Sequence, residues 1–340
     1  MTAVETEKAP RNAVFAGIDT FVNRHASVLP TVAAAVILSV LLVGANIRFD
    51  GRFLTPGNIS ALLLNNAFLM VLAVGMTFVI VTAGIDLSVG SVMGFTGILG
   101  ASMLSGGVPA IVVIPTMLVA GALIGLLIGV LVQYFNVQPF IASLAGLFLG
   151  RGLAYVVSLN SIRVEDPVVL WLQTTRFRLG DWYITPTGII ALVVVAIGAL
   201  VMQYTRFGRT VYAVGGSESS AELMGLKVAR TKVMVYVISG LCGGLAGLLL
   251  TAFSGAGYPR YGIGTELDVI ATVVIGGTLL AGGRGYVLGS MIGVFVFATI
   301  TTIISFMGAE QSWTHIIVGG LLLLFIVVQR AIVARTSRTG

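Results

Sequence analysis

The sequence predicts an all-α, polytopic membrane protein of about ten transmembrane helices with both termini cytoplasmic. Three observations carry that expectation. Of 340 residues, 57% are hydrophobic and 9% are charged, whereas soluble domains carry roughly 25% charged residues; a soluble fold this poor in charge would expose large apolar patches. The mean hydropathy is +1.05. Finally, the apolar residues fall in runs long enough to cross a hydrocarbon core of about 30 Å, which takes about 20 residues at 1.5 Å each.

The runs are read in order as spans at about 27–46, 63–83, 87–104, 110–133, 139–158, 184–204, 232–254, 267–281, 287–306 and 314–330. The first, SVLPTVAAAVILSVLLVGA, is longer than a signal-peptide core and is followed by further spans, so it is expected to remain as an anchor. An even number of spans puts both ends on one side. Of the 19 Lys and Arg, twelve then fall on the side of the termini, six on the other, and Arg151 within a span. Excess cations face the cytoplasm, so the termini do too. This divides the chain into a cytoplasmic tail (1–26), a transmembrane domain (27–330) and a second cytoplasmic tail (331–340).

Two connections exceed a simple turn. The outer one, 159–183, carries aromatics suited to the interfacial belt. The inner one, 205–231, reads TRFGRTVYAVGGSESSAELMGLKVART, and its middle, from Ser217 to Leu226, opens with a serine followed by acidic and small residues, a helix-start pattern. Ala221, Leu223, Met224 and Leu226 are expected to form an apolar docking face there; the alternative is a solvated hairpin without a partner.

Composition also excludes functions. The net charge of +6 lies at the ends of apolar runs with no basic stripe, so nucleic acid is not a partner. One cysteine, Cys242, permits no internal disulfide. His25 and His315, far apart, offer no zinc or haem set, and neither a nucleophile–base pair nor a metal cluster is visible, so no catalytic residue and no metal ligand is expected. The three lysines, Lys8, Lys227 and Lys232, follow no glycine, so the phosphate-cradling GxxxxGK[ST] loop is absent and the chain supplies no P-loop ATPase chemistry.

Four segments in order resemble a known family: VLAVGMTFVIVTAGIDLSVGSVMGFTG (71–97), NVQPFIASLAGLFLGRGLAYVVS (136–158), TRFGRTVYAVGGSESSAELMGLKV (205–228) and ELDVIATVVIGGTLLAGGRGYVLGSMIGVF (266–295). They are similar to the permeases of ribose-type carbohydrate ABC importers, across about 220 residues. NNAFLMVLAVGMTFVIVTAGIDLSVGS, SLAGLFLGRG and AGYPRYGIGTELDVIATVVIGGTLLAGG bring the likeness nearest to bacterial galactofuranose permeases. Two positions depart: Ser217 stands where the family has Asn after the double glycine, and Gln138 replaces a proline of ribose-type members.

The resemblance implies monosaccharide import, with galactofuranose first and a ribose- or xylose-like sugar next; branched-chain amino acids are the runner-up substrate class. It implies a separate ATP-binding-cassette ATPase that uses ATP and magnesium, with no cofactor on this chain. A second permease, identical or different, and an external solute-binding protein are implied as well. Ser217, Glu218, Ala221, Glu222, Leu223, Met224 and Gly225 then form the coupling helix that docks in the ATPase. The competing class, a secondary transporter, calls for paired mid-span carboxylates that are nearly absent.

Intramembrane polar groups are costly and each calls for a role. Arg151 lies about 12 residues into its span, roughly 18 Å deep. It is expected either to line the pathway, paired with Asp86 or Glu266, or to bond backbone carbonyls. Asp86, in AGIDLSVG, is expected to cap the following span or to mark a broken helix in the pathway. The glycine-rich turns 84–90 and 282–289 either gate the inner pathway or pack helix ends. Gly121, Gly125, Gly129, Gly240 and Gly244 have the spacing of close helix contacts. For a polar sugar, Asn65, Asn66, Phe78, Phe148, Tyr155, Thr272 and Thr278 are the further pathway candidates, with core packing as their alternative role.

Overall fold

The computed structural model of the chain describes residues 29–310 and 312–336. The tail 1–26, His25 and the end of the chain beyond 336 lie outside the described residues.

The chain is a helical bundle in the order α1 (Leu29–Arg48), α2 (Pro56–Asn65), α3 (Ala67–Val81), α4 (Val89–Ser105), α5 (Ala110–Tyr134), α6 (Pro139–Val157), β1 (Ile162–Arg163), α7 (Pro167–Thr174), β2 (Phe177–Leu179), β3 (Trp182–Ile184), α8 (Pro186–Tyr204), α9 (Arg206–Gly216), α10 (Glu218–Leu223), α11 (Val228–Ser254), β4 (Ala256–Gly257), α12 (Thr265–Ile275), α13 (Val287–Phe306) and α14 (Ser312–Thr336). Among the described residues six helices (α1, α5, α6, α8, α11 and α13) are long and apolar enough to cross a membrane. The pair α2–α3 passes the same test together, bent by 52°.

Three expected spans are corrected. The second begins at Pro56 and breaks at Asn66, whose Nδ2 donates to the Leu62 carbonyl at 2.9 Å. An asparagine amide that competes for a helix carbonyl favours such a break. The eighth is the 11-residue α12, which ends at Ile275 in a glycine-rich turn. The last helix continues to Thr336.

α3 and α11 occupy the middle. Every residue of α3 except Phe68 is buried, as expected of a helix apolar on all faces and surrounded by others. α11 packs along α5 through glycine: a Cβ on Gly121 would collide with the Gly240 carbonyl oxygen, one on Gly125 with the Tyr236 carbonyl, and one on Gly240 with the Gly121 carbonyl. Only residues without a side chain let two backbones approach this closely, the small-residue contact that drives helix association in lipid.

The outer connection is structured. β2 and β3 form a hairpin turning at Gly180 (φ 64°), and the Tyr183 N–H bonds Ser60 Oγ at 3.1 Å on α2. α7 is capped by Asp166, whose carboxylate accepts from the Val168 N–H at 2.8 Å. β1 pairs antiparallel with β4, which tethers this connection to the end of α11.

Candidate functional site

Two regions carry the polar groups that the sequence singled out. The first is the segment after α8. α9 begins at an N-cap, Thr205, whose Oγ1 accepts the Gly208 N–H at 3.1 Å, and it is strongly amphipathic, with Val211 and Val214 inward. Ser217 then caps α10 by accepting the Ser220 N–H at 3.3 Å, which meets the helix-start expectation. The four-residue docking face splits, however. Ala221 is fully buried against Val214 and Val228, with Leu226 beside it. Leu223 is 90% exposed on the opposite side, and Met224, the C-cap residue just beyond the helix, is 67% exposed. A short helix has room for one apolar face inward and one outward; Ala221 anchors it and Leu223 protrudes. Gly225 (φ 74°) ends the turn, with its N–H on the Glu222 carbonyl. Glu218 is tied back to Lys232 on α11 at 2.9 Å, while Glu222 is exposed. The expected loop 205–231 is therefore two helices and the first turn of α11.

The second region lies inside the bundle. α3 ends at Val81, and Ala83 (φ 60°) and Gly84 close its last turn onto the carbonyls of Ile80 and Val79. Asp86 follows, fully buried. Its Oδ1 accepts the Ser88 N–H at 2.9 Å and the Ser88 hydroxyl at 2.6 Å, and its Oδ2 accepts the Ser239 hydroxyl of α11 at 2.7 Å. A buried carboxylate with three donors is satisfied, and here it fixes the α3–α4 turn to the central helix. A Cβ on Gly84 would meet the Tyr236 hydroxyl at 2.7 Å.

For Arg151 the structure bears out the second expectation, bonds to backbone carbonyls. Arg151 forms no ion pair with Asp86 or Glu266 among the described residues; its Nη1 donates to the carbonyls of Pro259 at 3.0 Å and Tyr261 at 2.7 Å. The reason lies in the chain between α11 and α12. Gly255, Gly262 and Gly264 all have positive φ, and residues 258–264 run without a helix; the carbonyls of Pro259 and Tyr261 accept no backbone N–H among the described residues and take their donor from Arg151. This segment lies along α4 where glycines make room. A Cβ on Gly94 would sit 3.3 Å from Arg151 Nη1 and against the Tyr261 carbonyl, and one on Gly90 would meet Glu266 Oε2 and the Gly262 carbonyl, each at 2.5 Å. Glu266 stands in the first turn of α12, where a carboxylate is favoured by the helix dipole; Oε1 accepts the Gly264 N–H at 3.3 Å, and Oε2 is buried without a protein partner.

The remaining candidates separate by position. Phe148, Arg151 and Tyr155 share one face of α6 at intervals of three and four; Phe148 is 67% exposed, Tyr155 is exposed and Arg151 half-buried. Asn65 is exposed and Asn66 half-buried at the α2–α3 break. Phe78 is buried and stacked on Phe207 at 6.2 Å. Thr272 is buried with its hydroxyl on the Val269 carbonyl, and Thr278 is buried with its Oγ1 unpartnered against Gly285. The two glycine-rich turns meet: the Gly283 N–H donates to the Val81 carbonyl at 2.8 Å, and a Cβ on Gly282 would strike Ala83. Sequence reasoning missed Ser239, Tyr236 and the 258–264 segment; the repeated glycines of GAGYPRYGIG were the available signal.

A bundle with an irregular segment between α11 and α12, a half-helix beginning at Thr265 and a capped helix presenting apolar residues outward has the parts of a transport subunit. A family model described as branched-chain amino acid transport system / permease component matches residues 58–326. The chain belongs to this family of ABC importer permeases, in its ribose-type branch. It is 42% identical over 314 residues to the fructose import permease protein FruG of Bifidobacterium longum (strain NCC 2705), covering 90% of this chain and 92% of that one. It is 43% identical over 288 residues to the inner membrane ABC transporter permease protein YjfF of Escherichia coli (strain K12), covering 84% and 87%. It is 36% identical over 297 residues to the ribose import permease protein RbsC of Haemophilus influenzae, covering 86% and 90%. The permease is a multi-pass transport subunit rather than an enzyme.

Proposed function

We propose that this permease moves a monosaccharide across the bacterial inner membrane, driven by a separate ATP-binding-cassette ATPase that docks on α10. The observation that carries the coupling role is the exposure of Leu223 and Met224 at the end of a helix whose other face is anchored by Ala221. Exposed apolar residues on a polar, capped helix are the pattern of a helix-in-groove contact. Ser217, Glu218, Glu222 and Gly225 shape and flank that helix.

Sugar transport is supported by relatives named for fructose and ribose import. Galactofuranose remains our leading substrate, on the motif resemblance described above, ahead of a ribose- or xylose-like sugar. The α6 face with Phe148, Arg151 and Tyr155 is the pathway wall that the geometry favours, since aromatic surfaces stand open beside a guanidinium. Asn65 and Asn66 at the bend, Glu266 at the start of a half-helix and Asp86 at its turn complete the polar set; Phe78, Thr272 and Thr278 support it from the core. One bundle does not enclose a passage, so a second permease closes it, and an external solute-binding protein delivers the sugar. Ten crossings with both termini cytoplasmic remain our reading: the six long helices, the bent α2–α3 pair, α4, α14, and the half-helix α12 together with the non-helical segment 258–264 before it.

The test is purification of the tagged permease from native membranes in mild detergent. Near-stoichiometric retention of an ATPase, lost on Leu223→Glu, supports the reading. The co-purified binding protein is then screened against galactofuranose, ribose, xylose, fructose and branched-chain amino acids. Loss of every ATPase under several mild conditions, together with ion-gradient-driven uptake, would sink it.

A further inference from the structure

A pocket of about 410 Å³ opens beside the end of α8, away from the α6 face and from the exposed side of α10. Its walls include Gln203 and Tyr204 from the last turn of α8, Tyr212 from α9, and Arg284, Gly285 and Tyr286 from the turn before α13. The turn is built from Gly282, Gly283 and Gly285, all at positive φ. Its carbonyls are occupied: that of Arg284 accepts the Leu279 N–H at 3.0 Å, and that of Gly285 accepts the Tyr212 hydroxyl at 2.6 Å. The N–H groups of Arg284, Gly285 and Tyr286 donate to no protein acceptor among the described residues. Successive free N–H groups in a glycine turn form an anion-binding concavity. The Arg284 side chain is exposed at its rim and pairs with no carboxylate among the described residues. Burial pushes the Tyr212 phenol up to about 12, so it keeps the proton that it donates to the Gly285 carbonyl.

The surroundings say where the anion comes from. Val193, Ile197, Leu200 and Tyr204 are all exposed at intervals of four, three and four, an apolar stripe that runs along α8 and ends at the pocket. Beyond it, Arg206 and Arg209 are exposed in the first turn of α9. A stripe of hydrocarbon leading to tyrosines, free N–H groups and arginines matches a phospholipid, tails along α8 and headgroup in the pocket.

We propose that the turn 282–286, with Gln203 and Tyr204, is a binding site for the headgroup phosphate of an anionic phospholipid. The site braces the turn that contacts Val81 and Ala83 at the base of the α3–α4 break, so lipid occupancy steadies the inner end of the bundle.

The full chain is reconstituted in phosphatidylcholine nanodiscs containing phosphatidylglycerol, and retained lipids are counted by native mass spectrometry after release into detergent. The parent is expected to keep phosphatidylglycerol over phosphatidylcholine. Arg284→Gln is expected to weaken that retention about fivefold, the worth of one cation at an anionic surface, and Arg284→Lys to restore most of it. A thermal-shift series on the same proteins reads folding independently: phosphatidylglycerol should raise the parent's melting temperature and not that of the Gln variant. Equal retention of the two lipids, or of phosphatidylglycerol by parent and Gln variant, overturns the proposal. Stabilisation of the parent by inorganic phosphate as strong as that by phosphatidylglycerol overturns the lipid source and leaves a free-anion site. Loss of the ATPase with unchanged lipid retention in Arg284→Gln assigns the pocket to the partner protein and overturns it as well.

Discussion

The contact between α5 and α11 and the short helix α10 use opposite means. In the first, glycines bring two backbones together until a single added carbon would collide with a carbonyl of the facing helix. In the second, side chains hold the helix: Ser217 caps, Ala221 anchors, Glu218 reaches Lys232, and Leu223 is left in the open, while close backbone contact through glycine ends in α9, where a Cβ on Gly215 would strike the Val81 carbonyl. Lipid cannot drive helices together by a hydrophobic effect, so the bundle relies on close packing. The segment outside it meets water, where capping and a small buried patch suffice. The bundle is therefore intolerant of added volume, whereas α10 should lose less stability on substitution, and least at its exposed tip.

The widest separation should come from Gly240→Leu. Its side chain meets the Gly121 carbonyl, and we expect destabilisation of about 3 kcal/mol, at the top of the usual overpacking range, with most protein lost on size exclusion. A variant as stable as the parent would dissolve the contrast. Next, Arg151→Met leaves the Pro259 and Tyr261 carbonyls unpaired, at a cost of about 2 kcal/mol. Hydrogen exchange should rise across 258–264, and Arg151→Lys should recover part of the protection; unchanged exchange would mean that the segment holds itself.

Smaller again, Ser217→Ala removes a cap worth about 1 kcal/mol. Amides of 218–224 should exchange faster while α5 and α11 keep their rates. Smallest in stability is Leu223→Glu, expected within about 0.5 kcal/mol of the parent as an exposed substitution. Its melting curve should overlay the parent's although the ATPase no longer co-purifies. A lower melting temperature there would place Leu223 in the fold and not at a contact.

Much of this was legible in the residues. The apolar runs located the long helices to within a few residues, because length and composition belong to each segment alone. GGSESSAEL announced α10 through its cap. The glycine triplet of α5 announced a close helix contact through its spacing. Three features were not legible. The bend at Asn66 depends on an amide finding the Leu62 carbonyl. The split of the expected docking face depends on Val214 and Val228 flanking Ala221. The partner of Arg151 depends on a segment more than 100 residues later whose irregular course no periodicity records.

By itself the sequence determined a multi-pass, charge-poor helical protein and where glycine and serine interrupt or cap its helices, since each follows from local hydropathy or local backbone preference; its family came from the resemblance of its motifs. The tertiary structure alone decided that Asp86 is held by Ser88 and Ser239, that Arg151 serves backbone carbonyls and not a carboxylate, and that Leu223 faces outward while Ala221 does not. A buried polar group takes whichever donors or acceptors the packing brings within about 3 Å. Ser88 is local to Asp86, but Ser239, Pro259 and Tyr261 lie more than 100 residues from the groups they hold, so their identity is a property of the assembled bundle.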